Sequence, residues 1–362
     1  VGLWLLSRGA EQAARSEPQL LSRRRELLAL GLIVLVGAFF RLYRLDAQPA
    51  GFFYDEAMWG LDAESVLLGV DYPVYFEANF GHGPLFIYLL AAFLKLLGRS
   101  EFALRLLPAM IGILTVPAMY AFAKLLFGQR TALIAALLLA VARWHVNFSR
   151  IDFDAILLPL FELILFYFLV KALRARRTMD FVWAGVAAAM GLNTYVAFRL
   201  MPFIAACYVL YTLVLRRRLD RQTVIGLGAR VDTVNIFAGK SPEAGLAAVL
   251  ESTRKHLLMF NRQGDHNGRH NLPGEPMLDY VTGALFVVGL GYSLSRVRWP
   301  EYALFLVLFV TMLGAGIMSV DFEAPQSLRA IGTIPVAIIF AAIVLGRLLR
   351  ASDGLGRVVP GV

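Results

Sequence analysis

The chain alternates long apolar runs with short charged clusters. Runs of roughly 15 to 23 positions recur between Leu27 and Leu345, the length a helix rising 1.5 Å per residue needs to cross a hydrocarbon core of ~30 Å. Leu27–Phe40, Arg105–Phe127, Thr131–Phe148, Ala155–Val170, Phe181–Phe198, Met201–Leu215, Leu278–Leu294, Tyr302–Met318 and Ala330–Leu345 give about nine predicted transmembrane helices. The expected fold is all-α and polytopic, with further juxtamembrane helices in a first outer loop.

Basic clusters mark cytoplasmic helix ends. Arg23 to Arg25 therefore place the N-terminus inside, and the run from Leu27 leads outward. No small-residue cleavage site precedes Arg41, so this run reads as a retained span, with Arg41 snorkelling to the interface. Pro84–Leu97 is ambiguous by length. Treated as an interfacial helix, it leaves Lys124, Arg130, Arg174 to Arg177 and Arg216 to Arg218 all inside; treated as a span, it turns the last two clusters outward. The interfacial reading follows. The predicted organisation is a cytoplasmic segment 1–26, a transmembrane module 27–221 containing the outer loop 42–104, an irregular outer region 222–277, C-terminal helices 278–350 and a cytoplasmic tail 351–362. Because Arg221 is inside and Asp279 outside, one crossing is expected within 222–277, where no uninterrupted apolar run supplies it.

Composition agrees with a bilayer environment: 59% of the 362 residues are hydrophobic and 17% charged, outside the usual range for soluble domains. The net charge of +9 sits at the ends of apolar runs and forms no stripe, which argues against a nucleic-acid partner. The single cysteine, Cys207, provides neither an intramolecular disulfide nor a thiolate metal cluster.

The topology sorts the polar residues by side. Asp55 and Glu56, His82, Arg150, Asp152, Asp154, Arg199, the loop Gly264 to Asn271 with His270, and Arg329 all fall outside; the inside carries mostly basic anchors. A carboxylate can take a proton from an acceptor hydroxyl, and an arginine or a metal can stabilise a departing phosphate. The plain alternative for a loop carboxylate is a solvated surface charge. Asp55-Glu56 resists that alternative because it lies among Phe52, Phe53, Tyr54, Met58 and Trp59, where an uncompensated charge is costly. Asp154 could equally be a helix N-cap, and Arg199 and Arg329 could be interfacial anchors or phosphate clamps. His82 and His270 have no diagnostic metal spacing. The predicted spans are mostly free of interior charge apart from Glu162.

Taken in order, several stretches resemble the GT-C glycosyltransferases of the protein O-mannosyltransferase and aminoarabinose-transferase type (glycosyltransferase family 39-like). They are Arg41-Leu42-Tyr43-Arg44-Leu45-Asp46, Asp55-Glu56-Ala57, Gly83-Pro84-Leu85, Gly98-Arg99-Ser100-Glu101, Ser149-Arg150 with Asp154, Asn193-Thr194-Tyr195 with Arg199, Arg269-His270-Asn271-Leu272-Pro273-Gly274 and Pro325 to Ala330. The resemblance implies a GT-C-type bundle that transfers a sugar, with inversion, from a polyprenyl-phosphate donor to a hydroxyl acceptor on a protein, a glycan or a lipid. Transfer would take place on the extracytoplasmic face of a bacterial or archaeal cell membrane. It also implies catalytic roles for Asp55, Glu56 and Asp154, and phosphate-facing roles for Arg150, Arg199 and Arg329. Asp152, His82, His270 and Asn271 are further candidates, with Asp152 competing for the second acidic position. Family members differ in metal use, so a divalent cation held by Asp55 and Asp154 is one option that the resemblance leaves open. The chain departs from some relatives at His82-Gly83-Pro84, where they carry a lysine. A transporter or flippase of lipid-linked sugars, or a noncatalytic membrane scaffold, would share the polytopic pattern; a transporter would carry charges or Gly/Pro breaks near mid-membrane.

Overall fold

The computed structural model describes residues 20–77, 81–215, 242–319 and 324–358. Its helices, in chain order, are α1 (Arg23–Leu42), α2 (Tyr54–Leu67), α3 (Pro84–Leu97), α4 (Glu101–Phe127), α5 (Gln129–Val141), α6 (Arg143–Phe148), α7 (Leu157–Ala175), α8 (Thr178–Leu192), α9 (Met201–Leu215), α10 (Pro242–Leu258), α11 (Tyr280–Leu294), α12 (Pro300–Ile317) and α13 (Thr333–Val358). Two 3₁₀ turns, Asp154–Ile156 and Val196–Leu200, lead into α7 and α9. Among the described residues there is no β-strand, only an antiparallel bridge between Phe76 and His82.

Four helices, Glu101–Phe127, Asp154–Ala175, Pro300–Ile317 and Thr333–Asp353, are long and apolar enough to cross a membrane; Gln129–Val141, Thr178–Leu192, Val196–Thr212 and Tyr280–Leu294 are apolar but shorter. The helices pack as antiparallel neighbours in α4 with α5 and α7 with α8, while α11 and α13 pack side by side in the same direction. At Gly289 in α11 the packing is so close that a Cβ would stand 2.0 Å from the carbonyl oxygen of Phe340 in α13.

Ion pairs collect the helix ends into two layers. At one end Lys124 pairs with Glu26, Arg130 with Asp353, Lys171 with Asp180, and Arg174 with Glu301. At the other, Arg41, Asp55, Glu56, Arg105 and Arg150 meet the loops. Lys124, Arg130 and Arg174 thus gather at one end, as the alternation expects, while Arg216 to Arg218 and Arg221 lie outside the described residues. The helix α3 begins where Leu85 N donates to Asn193 O (3.3 Å), just past α8, and it ends beside α4, whose N-cap Ser100 accepts from Ala103 N (3.1 Å). Both its ends therefore stay at the site end, where it packs on α2 and α4.

The expected span Thr131–Phe148 is interrupted. α5 stops at Val141, and Ala142 turns the chain out of the helical region (φ −59°, ψ 111°) into α6. Arg41 explains the break. The sequence alone suggests a snorkelling side chain; instead it is fully buried. Its Nη1 donates to Gly37 O (2.9 Å) and Ala140 O (2.9 Å), and its Nη2 to Leu139 O (3.4 Å) and His145 Nδ1 (2.8 Å). Ala140 O, at the end of α5 where helical donors run out, thus receives a buried cation in place of solvent, and Leu139 O is shared between Arg41 and Ala142 N (3.4 Å).

Within the predicted irregular region, α10 forms and packs against α12. Ser252 Oγ donates to Ile317 O (3.0 Å), and His256 Nε2 accepts from Gln326 N (3.0 Å). Of the stretch 222–277 in which a crossing is expected, residues 222–241 lie outside the described residues.

Candidate functional site

The site is built on the first turn of α2. Phe53 precedes the helix in an extended conformation (φ −79°, ψ 156°), and Glu56, three residues on, turns back so that its Oε2 accepts from Phe53 N (3.1 Å). That satisfies one N-terminal donor and places an anion at the positive end of the helix. The other carboxylate oxygen, Oε1, accepts from Arg105 Nε (3.3 Å) and Asp152 N (3.0 Å). Glu56 is 1% exposed and Arg105 fully buried. Arg105 gives a donor from each terminal nitrogen to Pro49 O (2.9 Å) and Gly51 O (2.5 Å). The pair therefore ties α2, α4, the loop before α2 and the turn after α6 into one junction.

Arg150 performs a similar task next door. Its Nη1 donates to Phe40 O (2.8 Å) and its Nη2 to Tyr43 O (2.8 Å), Gln48 O (3.0 Å) and Arg44 O (3.3 Å). These carbonyls belong to the end of α1 and the loop after it. The geometry makes Arg150 a positioning group for that loop, with both terminal nitrogens engaged by protein.

Asp55, one residue before Glu56, points elsewhere. It pairs with Nη1 of Arg269, whose guanidinium also lies 6.0 Å from the centre of the Phe53 ring. Arg269 is aimed by a loop folded around Asp265. The Oδ1 of Asp265 accepts from Asn267 N (2.8 Å); its Oδ2 accepts from His270 Nδ1 (2.9 Å), Ser327 N (2.9 Å) and Ser327 Oγ (2.7 Å). Asn267 Oδ1 in turn accepts from Arg269 N (3.1 Å) and Nε (3.3 Å). Burial opposes the charge on Asp265, but the hydrogen bonds from His270, Asn267 and Ser327 outweigh it and hold its pKa below the usual carboxylate value. Asn271 is buried in the same loop and donates to Glu275 O.

Asp152 and Asp154 complete the acidic group. Both are buried, and the charge of Asp55 is felt at Asp154. Neither carboxylate oxygen of Asp152 has a hydrogen-bond partner among the described residues. Burial first, and then the charges of Glu56 and Asp154, push the Asp152 carboxyl well above its ordinary pKa, while Arg105 acts the other way.

An aromatic chain backs these groups. Trp59 meets Phe153 edge-on at 4.5 Å, Phe148 meets Phe153 at 6.2 Å, and the His270 ring stacks on Phe148 at 5.6 Å. His82 stands behind Trp59 (5.9 Å), stacked on Phe76 (5.4 Å), with its Nε2 3.3 Å from Asp62 Oδ2.

Of the residues singled out from sequence, the structure thus gathers Asp55, Glu56, Asp152, Asp154 and His270 into one cluster, with Asn271 in the His270 loop and Arg150 and His82 at its edges. Arg199, exposed on the 3₁₀ turn before α9, makes no contact with that cluster. Arg329 lies two residues beyond Ser327. Sequence reasoning passed over Arg105, Arg269 and Asp265 as site residues. For Arg105 the available signal was an arginine at the head of an apolar run; for the other two, nothing marks which loop residues fold back onto α2. Among the described residues no three His, Cys, Asp or Glu side chains converge as a metal-ligand group, and Asp55 is paired with Arg269.

The fold is GT-C-type by its likeness to solved structures. The oligosaccharyltransferase of Archaeoglobus fulgidus, tethered to an acceptor peptide containing the NVT sequon, aligns with a TM-score of 0.63 and 14% identity over 94% of this chain and 51% of its own. ArnT from Cupriavidus metallidurans bound to undecaprenyl phosphate aligns with a TM-score of 0.59 and 18% identity over 92% of this chain and 62% of its own. The Archaeoglobus protein in complex with Zn and sulfate aligns with a TM-score of 0.58 and 14% identity, over 90% of this chain and 49% of its own. The chain thus spans about half to three-fifths of the length of these proteins. The family model for dolichyl-phosphate-mannose-protein mannosyltransferases matches residues 81–231. No curated protein matches the chain.

Proposed function

We propose that this chain is a membrane glycosyltransferase that moves a sugar from a polyprenyl-phosphate donor to a hydroxyl acceptor, with inversion, on the extracytoplasmic side. The carrying observation is the placement of Asp55: a carboxylate at the head of α2, at the loop-covered end of the bundle, facing Arg269 and flanked by Asp154. The match to the mannosyltransferase family model supports the donor class, as does the undecaprenyl phosphate bound by ArnT.

In this reading Asp55 accepts the proton of the acceptor hydroxyl. The oxygen then forms a bond to the anomeric carbon from the face opposite the phosphate. The bond from that carbon to the phosphate oxygen breaks, and its electron pair leaves with the polyprenyl phosphate. One attack from the opposite face inverts the centre, so a single base suffices. Arg269, paired with Asp55, would exchange that carboxylate for the departing phosphate; Arg329 is a further candidate cation, and Arg199, outside the cluster, would reach the phosphate only where the donor extends toward the turn before α9. Glu56 supports the base by fixing the first turn of α2, and Asp154 orients the donor.

The test is transfer from a polyprenyl-phosphate sugar by protein reconstituted in lipid vesicles. Asp55→Asn is expected to abolish transfer while the protein stays folded, and unchanged turnover would overturn the assignment. The side is tested by single cysteines, Gly51→Cys and Arg298→Cys in a Cys207→Ser background, which should react with an impermeant reagent from opposite faces.

A further inference from the structure

At the end of the bundle opposite the acidic cluster, a cavity of about 90 Å³ opens between the ends of α4, α11 and α13 and the start of α12. That is several times the roughly 10–15 Å³ needed by one water. Its lining includes Arg296, Arg347, Arg350, Trp299 and Tyr302. Three guanidiniums line it against one carboxylate, Glu301, which accepts from Arg174 Nη2 (2.8 Å).

Two of the arginines converge on one ring: the Arg347 guanidinium lies 4.4 Å and that of Arg296 5.3 Å from the centre of Tyr292. The ring quadrupole holds the two cations side by side at the cavity wall. Arg347 Nη2 donates to Tyr302 Oη (3.3 Å), whereas the buried Arg347 Nε finds no acceptor among the described residues. A buried donor without an acceptor is costly, and an anion in the cavity would supply that acceptor. The position within the bilayer narrows the choice of anion. Lys124, Arg130, Lys171 and Arg174 share this end, Trp299 and Tyr302 are the residue types of the headgroup level, and exposed Leu294, Leu348 and Leu349 flank the opening on α11 and α13.

We infer that this cavity binds the phosphate of an anionic phospholipid headgroup, with Arg347 and Arg296 as its principal donors, Arg350 at the rim and the acyl chains lying along the exposed leucines. Basic pockets between membrane helices hold such headgroups by the same combination of charge and apolar flank, and the planar arginine fork suits two phosphate oxygens at once. The inference stands apart from the transfer reaction, since its residues lie at the other end of the molecule.

The purified full chain, stripped of lipid in a neutral detergent, is titrated with phosphatidylglycerol, phosphatidylcholine and inorganic phosphate. Thermal unfolding and native mass spectrometry follow each titration. Phosphatidylglycerol is expected to raise the unfolding midpoint saturably and to remain bound in the gas phase, while the other two do neither. Losing one arginine contact should weaken phosphatidylglycerol about fivefold, in Arg347→Gln and in Arg350→Gln. Arg298→Gln, at the same end but outside the lining, should leave it unchanged. Arg350 lies at the rim, so its variant decides the matter if Arg347→Gln does not fold. Equal response to the two lipids, or unaltered phosphatidylglycerol affinity in Arg350→Gln, overturns the inference. So does inorganic phosphate reproducing the whole effect, which would make the ligand a soluble anion.

Discussion

Exchanging Asp55 and Glu56 in turn for their amides should separate two neighbouring carboxylates whose surroundings assign them different work. Glu56→Gln keeps the size and removes the charge. The native carboxylate accepts from Phe53 N, Arg105 Nε and Asp152 N, and an amide has only one acceptor oxygen. At least one of those buried donors therefore loses its partner, at about 1–3 kcal/mol. Arg105, fully buried, also loses its counter-charge, and breaking a buried pair from one side costs about 3–5 kcal/mol. Because Arg105 keeps Pro49 O and Gly51 O as acceptors, the lower end applies, about 3 kcal/mol in all. For Asp55→Asn the partner Arg269 is 29% exposed, so the lost pair is worth about 1 kcal/mol or less. Tryptophan fluorescence during unfolding in micelles, set beside sugar transfer by the same preparations, gives both readouts. Glu56→Gln should unfold several degrees earlier and lose activity in proportion to its folded fraction; Asp55→Asn should keep its midpoint and lose transfer. Equal midpoints for the two variants would refute the division of labour.

Further outcomes follow from the same geometry. Arg150→Lys replaces a fork that holds four carbonyls with a point donor, and should lower stability by about 1–3 kcal/mol and speed proteolysis within residues 43–52; unchanged cleavage would argue against the loop-holding role. The Asp152 carboxyl is held well above its ordinary pKa by burial and by Glu56 and Asp154. The folded state therefore binds that proton more tightly than the unfolded chain. Its contribution is full below an unfolded value of about 3.9 and is lost as pH rises toward the folded value. Asp152→Asn should accordingly gain on the wild type as pH rises above about 3.9, and a difference that stays flat there would contradict the burial argument. Gly289→Ala drives a methyl into the Phe340 backbone and should cost about 1–3 kcal/mol, visible as an earlier unfolding midpoint with Asp55 chemistry intact in the folded fraction.

The apolar runs and the basic clusters between them were enough to give an all-α polytopic fold, its alternation, and the return of Pro84–Leu97 to the end it started from. Those features are local: length decides what can span, and the side of each arginine cluster decides direction. The sequence also singled out Asp55, Asp154 and His270, because charged residues among aromatics and at run ends stand out in so apolar a chain. What it left open were the partnerships. Arg41 reads as an interfacial anchor until the end of α5 is seen to leave carbonyls for it. Glu56 and Asp55 read as one acidic pair until Arg105 and Asp152 N claim the first and Arg269 the second. Arg269 lies 214 positions from Asp55 in the chain, and which loop arginine reaches α2 depends on how Asp265 gathers His270, Asn267 and Ser327. A buried charge takes its function from the groups that compensate it, and those groups come together only when helices distant in sequence are packed at one end of the bundle.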